Sequence, residues 1–156
     1  MAQHQADCEI CRKLDQCRSG DHPGLIAEME TGFAVLGDSQ YFRGYSLLLC
    51  KTAATELFEL PDGVRARFLE EMVTLSRAVQ NVLHPHKLNY ECLGNQVHHL
   101  HWHIFPRYLD EPDPLKPVWT CMPGPDQAPR YALDPERHIP LISALREELS
   151  NVGYRA

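Results

Sequence analysis

An α+β domain is what the sequence predicts, built from five short strands, one long helix and one C-terminal helix. Three observations carry that reading. Val64, Phe68, Met72, Leu75, Val79 and Val82 recur at spacings of three and four, which is one face of a helix packed on a sheet. Short apolar or alternating runs flank it on both sides, bounded by Gly, Asn and Pro. And 156 residues with 44% hydrophobic content suffice for one buried core without disulfides or metal.

Taken in order, residues 1–23 read as a polar, Cys-containing arm with no dependable helical or strand period. LIAEMETGFAVL, 25 to 36, reads as two strands around a turn at Glu30-Thr31-Gly32, where Gly supplies the permissive backbone. GYSLLLCK, 44 to 51, is a third strand whose continuous apolar run suits a buried position. Pro61-Asp62 opens the long helix and His84-Pro85-His86 ends it. LNYECL, 88 to 93, and HHLHWHIFPRY, 98 to 108, are the fourth and fifth strands, and the short loop between them predicts antiparallel pairing. The domain proper thus spans 24–120. Residues 121–156 complete the chain as a Pro-rich crossing segment and a last helix, with Pro140 near its start and Leu141, Leu145, Leu149 and Val152 along one side.

Composition excludes several function classes. The formal net charge is -6 and the basic residues are scattered, so no cationic stripe exists to displace counterions from a nucleic-acid backbone. One or two local cations are still enough to hold a small anion. No apolar run reaches the roughly 18 residues of a membrane span, and Met1 to Asp7 is polar. The expectation is a soluble, unexported, cytoplasmic protein whose six cysteines are mostly reduced.

Chemistry concentrates in the fifth strand. Four of the nine histidines fall between 98 and 103, and His99, His101 and His103 alternate with Leu100, Trp102 and Ile104. Side chains of a strand alternate between faces, so the three imidazoles are expected on one side, about 7 Å apart, with the apolar residues in the core. A neutral imidazole nitrogen is nucleophilic at cellular pH. His101, the middle ring, is the expected nucleophile toward phosphorus, with His99 orienting or polarising and His103 donating to a phosphoryl oxygen. Asn95, in the preceding loop, is a candidate donor to the oxygens where charge gathers in the transition state. The plainer reading applies to His4, His22, His84, His86 and His138, each taken as an ordinary surface or core histidine. A catalytic zinc on the alternating histidines is the competing reading of the row, although no helical metalloprotease pattern completes it. Trp102 and Phe105 read as core aromatics, while Arg107 and Trp119 suit either pocket or rim.

HLHWHIF, 99 to 105, follows the pattern His, apolar, His, apolar, His, apolar, apolar, and so resembles the histidine-triad (HIT) family. Leu93-Gly94-Asn95, Pro106-Arg107, GYSLLLCK with TELFEL behind it, and Pro117-Val118-Trp119 are similar to the family's bacterial diadenosine-polyphosphate-hydrolase-like branch. The likeness runs from about Cys8 to Trp119. It implies a five-stranded antiparallel sheet with a long helix, commonly doubled into a homodimer with a ten-stranded sheet. It implies His101 as nucleophile, His99 and His103 as its partners and Asn95 as a phosphate-side contact. Substrates of such proteins are nucleoside phosphoramidates, dinucleoside polyphosphates or nucleotidylated molecules. No cofactor is required for that chemistry, but many members hold a structural zinc on a Cys-x-x-Cys, a histidine after the third strand and the first triad histidine. Cys8 and Cys11 are present; Ala53 stands where the middle histidine would align. Zinc on Cys8 and Cys11, with Cys17 as a substitute ligand, and a plain pair of thiols therefore both stay open. The residue that would hold the ribose hydroxyls aligns with Gly37, next to Asp38. Two functions remain in view: a nucleotide hydrolase or nucleotidyl transferase cleaving at the α-phosphate through a nucleotidyl-histidine, and a nucleotide-binding sensor or partner protein with little turnover.

Overall fold

The computed structural model describes residues 7–155; His4 lies outside them. The elements run α1 (Glu9–Ser19), β1 (Leu25–Glu28), β2 (Gly32–Leu36), β3 (Ser46–Cys50), α2 (Asp62–Leu83), β4 (Lys87–Glu91), β5 (His101–Arg107) and α3 (Pro135–Ser150). All five strands form one antiparallel sheet, as expected, and their order is β1-β2-β3-β5-β4.

Both faces of the sheet are covered, which is why every residue of β2 and β3 is buried. On one face Ile26, Ala34, Leu48 and Ile104 pack against Phe68, Leu75 and Val79 of α2 and Ile142, Leu145 and Leu149 of α3. On the other, Phe33, Leu47, Leu49 and Phe105 meet Ile10, Leu14 and Cys17 of α1, together with Val118 of the crossing segment, which here is the whole irregular stretch from β5 to α3. The second face is covered only in part, and the gap is the cavity described below.

Three differences from the sequence reading have physical causes. The arm contains a helix: Cys8 caps α1 by accepting from the Cys11 N–H at 3.3 Å, and Gly20 ends it in the left-handed region at φ 80°. The last helix begins at Pro135, with the Asp134 carboxylate capping the Arg137 N–H, so Pro140 lies inside it rather than near its start. It ends at Ser150, leaving Val152 exposed instead of on the buried face. The fifth strand starts at His101, because Leu100 uses its N–H on the Ala54 carbonyl at 2.8 Å and the chain is bent there. Among the described residues no helix is long and apolar enough to cross a membrane.

One buried carboxylate ties α2 to the first hairpin. Glu71 is fully buried and accepts from the Thr31 N–H at 3.1 Å and from the Thr31 hydroxyl at 2.6 Å. Replacing it strands the turn's donors in a dry environment. Glu71→Ala is expected to lower stability by about 2–4 kcal/mol in urea unfolding, with an unchanged slope.

Candidate active site

Strand register builds the site. β3 and β5 pair with Leu47 opposite His103 and Leu49 opposite His101. Odd-numbered residues of both strands therefore share the face that α1 and the crossing segment cover. Trp102 and Ile104 go to the helix side, as expected. Phe105, read from the sequence simply as a core aromatic, belongs to the histidine face, stacked on Tyr45 at 4.0 Å and on His103 at 5.8 Å.

Each imidazole has a partner that fixes its protonated nitrogen. His101 Nδ1–H donates to the His99 carbonyl at 2.6 Å, leaving a lone pair on Nε2. Burial pulls the His101 pKa below the usual histidine value, so the ring is neutral at cellular pH. His103 Nδ1 lies 2.6 Å from the Tyr45 hydroxyl. Burial drives the Tyr45 pKa up, so this phenol keeps its proton, and Nδ1 is its one acceptor among the described residues. Tyr45 therefore donates, and His103 carries its own proton on Nε2. Desolvation, with the His101 charge as a lesser cause, holds the His103 pKa down to about 4. Sequence reasoning missed Tyr45. Its signal was parity: counted along β3 it falls on the face of Leu47 and Leu49.

His101 and His103 open onto a cavity of about 490 Å³, walled also by Tyr45, Asp38, Asn95 and Trp119. Asn95 stands at its rim with its side chain exposed, in the loop where the sequence placed it. Trp119 is a wall residue: its ring meets His103 edge-on at 5.6 Å and its indole N–H donates to Glu91. Asp38 faces the cavity and pairs with Lys13 of α1, whose ammonium also lies 3.4 Å from Glu9. Arg107 follows Phe105 on the same face of β5 but does not line this cavity; it is buried and donates to Glu111, Asn89 and the Lys116 and Asp113 carbonyls, which ties down the segment leading to Trp119.

His99 departs from the expectation that three rings share one face. It precedes the strand, and its ring turns away from the cavity toward Cys8 and Cys11. Its Nε2–H donates to the Cys50 carbonyl at 2.8 Å, so Nδ1 offers a lone pair to the two sulfurs, at 3.7 Å from Cys8 Sγ and 3.4 Å from Cys11 Sγ. The three ligand atoms lie within 4.8 Å of one another. Tetrahedral zinc with its usual bond lengths has S···N edges of roughly 3.6 Å, so two thiolates and one imidazole in this arrangement fit zinc. Cys17 is buried in the α1 core, where desolvation pushes its thiol up to about 12, and it is not among these ligands.

An antiparallel sheet presenting alternating imidazoles to a cavity defines a protein of the histidine-triad kind. The chain belongs to that family: the HIT domain profile matches residues 23–110. It is 29% identical over 119 residues to "Protein hit" of Bacillus subtilis (strain 168), covering 72% of this chain and 79% of that one. A histidine triad protein from Bradyrhizobium japonicum is 27% identical and superposes with a TM-score of 0.69, covering 80% of this chain and 88% of the other. A Zn-bound histidine triad family protein from Mycobacterium smegmatis shares the fold at 23% identity, with a TM-score of 0.64 over 94% of this chain and 95% of its own.

If Tyr45 sets the His103 tautomer, Tyr45→Phe keeps the ring stack and loses only the donor. In ¹⁵N NMR of the histidine rings, the native His103 is expected as the Nε2–H form from pH 8 down to its titration near pH 4. The variant is expected to show a mixture of tautomers; an unchanged spectrum would show that the phenol does not choose it.

Proposed function

We propose that this chain is a nucleotide hydrolase or nucleotidyl transferase of the diadenosine-polyphosphate-hydrolase-like branch, acting at the α-phosphorus through a covalent nucleotidyl-His101. The observation that carries the reading is the bond from His101 Nδ1 to the His99 carbonyl, which leaves the Nε2 electron pair unprotonated at the cavity. That nitrogen forms a bond to phosphorus while the bond to the leaving oxygen or nitrogen breaks, its electron pair departing with the leaving group. Water then displaces His101 and regenerates the free ring. His103, held neutral with Nε2–H forward, donates to a phosphoryl oxygen, and Asn95 at the rim supplies a second donor. Asp38, anchored by Lys13, is placed to accept from the ribose hydroxyls. His99 contributes through its backbone oxygen to His101 and through its ring to Cys8 and Cys11. Bound there, zinc supplies a structural crosslink between α1 and the start of β5; the nucleophilic step uses imidazole alone.

We also read the protein as a homodimer. The outer edge of β1 is closed, because Glu28 N–H donates to the Arg155 carbonyl and Arg146 donates to the Leu25 and Ile26 carbonyls. β4 is the other edge, with no strand beside it among the described residues and with Tyr90 and Leu93 exposed near it. A second copy pairing there closes the edge and extends the sheet to ten strands.

Intact-protein mass spectrometry after mixing with a dinucleoside polyphosphate or an adenosine phosphoramidate tests the chemistry. A nucleotide-sized adduct and substrate loss are expected for the native chain. His101→Ala is expected to give no adduct and at least about a thousandfold less turnover. Binding without adduct or turnover in the native chain would support the sensor instead.

Native mass spectrometry tests assembly and metal together. Addition of zinc is expected to give a dimer with one zinc per chain, and Cys11→Ser a dimer without it. A monomer, or zinc retained by the variant, would refute the corresponding reading.

A further inference from the structure

A second cavity, of about 440 Å³, lies beside the first and shares no lining residue with it; Ser39 faces one and Gln40 the other. Its charge runs against the composition of the chain. Arg43, Arg130 and Arg137 line it with His138, and among the described residues no Asp or Glu does, although acids outnumber bases 21 to 15 overall. None of the three arginines forms an ion pair among the described residues, whereas Arg18, Arg65, Arg67 and Arg107 all do. Glu136 and Asp134, the acids nearest Arg137 in sequence, do not line the cavity, and the Asp134 carboxylate is used on the start of α3.

The walls are held in place. The Gln40 N–H donates to the Tyr131 carbonyl at 2.6 Å, the Leu133 N–H to the Asp38 carbonyl at 2.8 Å, and Ser39 bridges to Ala132. The Tyr41 and Tyr131 rings meet edge-on at 4.9 Å. Arg43 lies over the Tyr108 ring at 5.5 Å, and the Tyr108 hydroxyl donates to the Arg43 carbonyl at 2.9 Å. Arginines presented from three segments on a fixed frame suit an anion with several oxygens, because each planar guanidinium can bind two of them at once. A cavity of this size has room for more than one phosphate.

We propose that this cavity is a second ligand site, binding the di- or polyphosphate group of a small molecule through Arg43, Arg130 and Arg137. It does not depend on the reading of His101, and its failure leaves that reading intact.

The test is amide NMR of the full chain titrated with inorganic pyrophosphate at about 0.15 M salt, a concentration that screens exposed charges. Saturable shifts are expected in 40–43 and 130–138. The double variant Arg130→Gln/Arg137→Gln, altered at two exposed positions, is expected to bind at least about tenfold more weakly there, with shifts around His101 unchanged. Shifts confined to 93–103, a response that never saturates, or equal affinity in the double variant would each overturn the proposal. A parallel titration with a nucleoside diphosphate separates the sources. Shifts in both regions mean that a nucleotide's phosphates are accepted, and shifts around His101 alone mean that the second site takes the inorganic anion.

Discussion

The register between β3 and β5 is the constraint on which the rest depends. Leu47 opposite His103 and Leu49 opposite His101 put two imidazoles, a phenol and a buried Phe on one surface, and the same pairing sends Leu48, Trp102 and Ile104 into the helix-side core. A slip of one residue would exchange the two sets, burying histidines under α2 and exposing Leu and Ile at the cavity. Both faces are covered, so the cost of that exchange would be felt twice. Core packing and site geometry are here the same fact, because β3 is buried throughout and β5 is partly exposed only at Trp102 and His103.

From that register follows a division of labour among rings of identical chemistry. His99, His101 and His103 differ only in what stands beside them: the Cys50 carbonyl, the His99 carbonyl and the Tyr45 hydroxyl. Each neighbour leaves one nitrogen with a defined function, a lone pair toward two sulfurs, a lone pair toward the cavity and an N–H toward the cavity. Two of the three neighbours are main-chain oxygens, so substitution of a side chain cannot remove them. Tyr45 is the exception, and the phenol can be deleted without disturbing the stack of Tyr45, His103 and Phe105.

Most of the sheet and both larger helices were legible because their patterns are strong: the three-four spacing of α2, the unbroken apolar run of β3 and the strict alternation of β5. α1 was missed for a physical reason. Its three buried positions, Ile10, Leu14 and Cys17, have helical spacing, but eleven residues rich in charge are marginal as an isolated helix, and the stabilisation comes from packing on the sheet. His99 was placed in the cavity because alternation was extended one step too far. Nothing local marks the point where Leu100 leaves the strand; its partner is the Ala54 carbonyl, distant in sequence. Asp38 was noticed beside the aligned Gly37, but its pairing with Lys13 needed α1 to be in place. The arginines at 43, 130 and 137 carry no pattern along the chain, and only the fold brings them together.

The segment 38–45 links these levels, since Asp38, Ser39 and Tyr45 face the triad cavity while Gln40, Tyr41 and Arg43 face the arginine cavity. It is irregular in path yet stiff. The Gln40 side chain donates to the Gly37 and Tyr45 carbonyls at 3.0 and 2.9 Å and accepts from the Gly44 N–H at 3.0 Å, closing the loop on itself with one buried amide. Gly44 is required there by its φ of 86°, which other residues adopt only under strain. Phe42 fastens the loop to the sheet, its ring edge-on to Phe105 at 5.6 Å, with the Arg107 guanidinium 5.1 Å above it. Arg107 also holds the crossing segment that delivers Trp119 to His103. A single buried cation thus fixes two walls of the triad cavity from behind. Removing it would loosen the Phe42 loop and the Trp119 wall together, whereas removing a residue of either wall would leave the other standing.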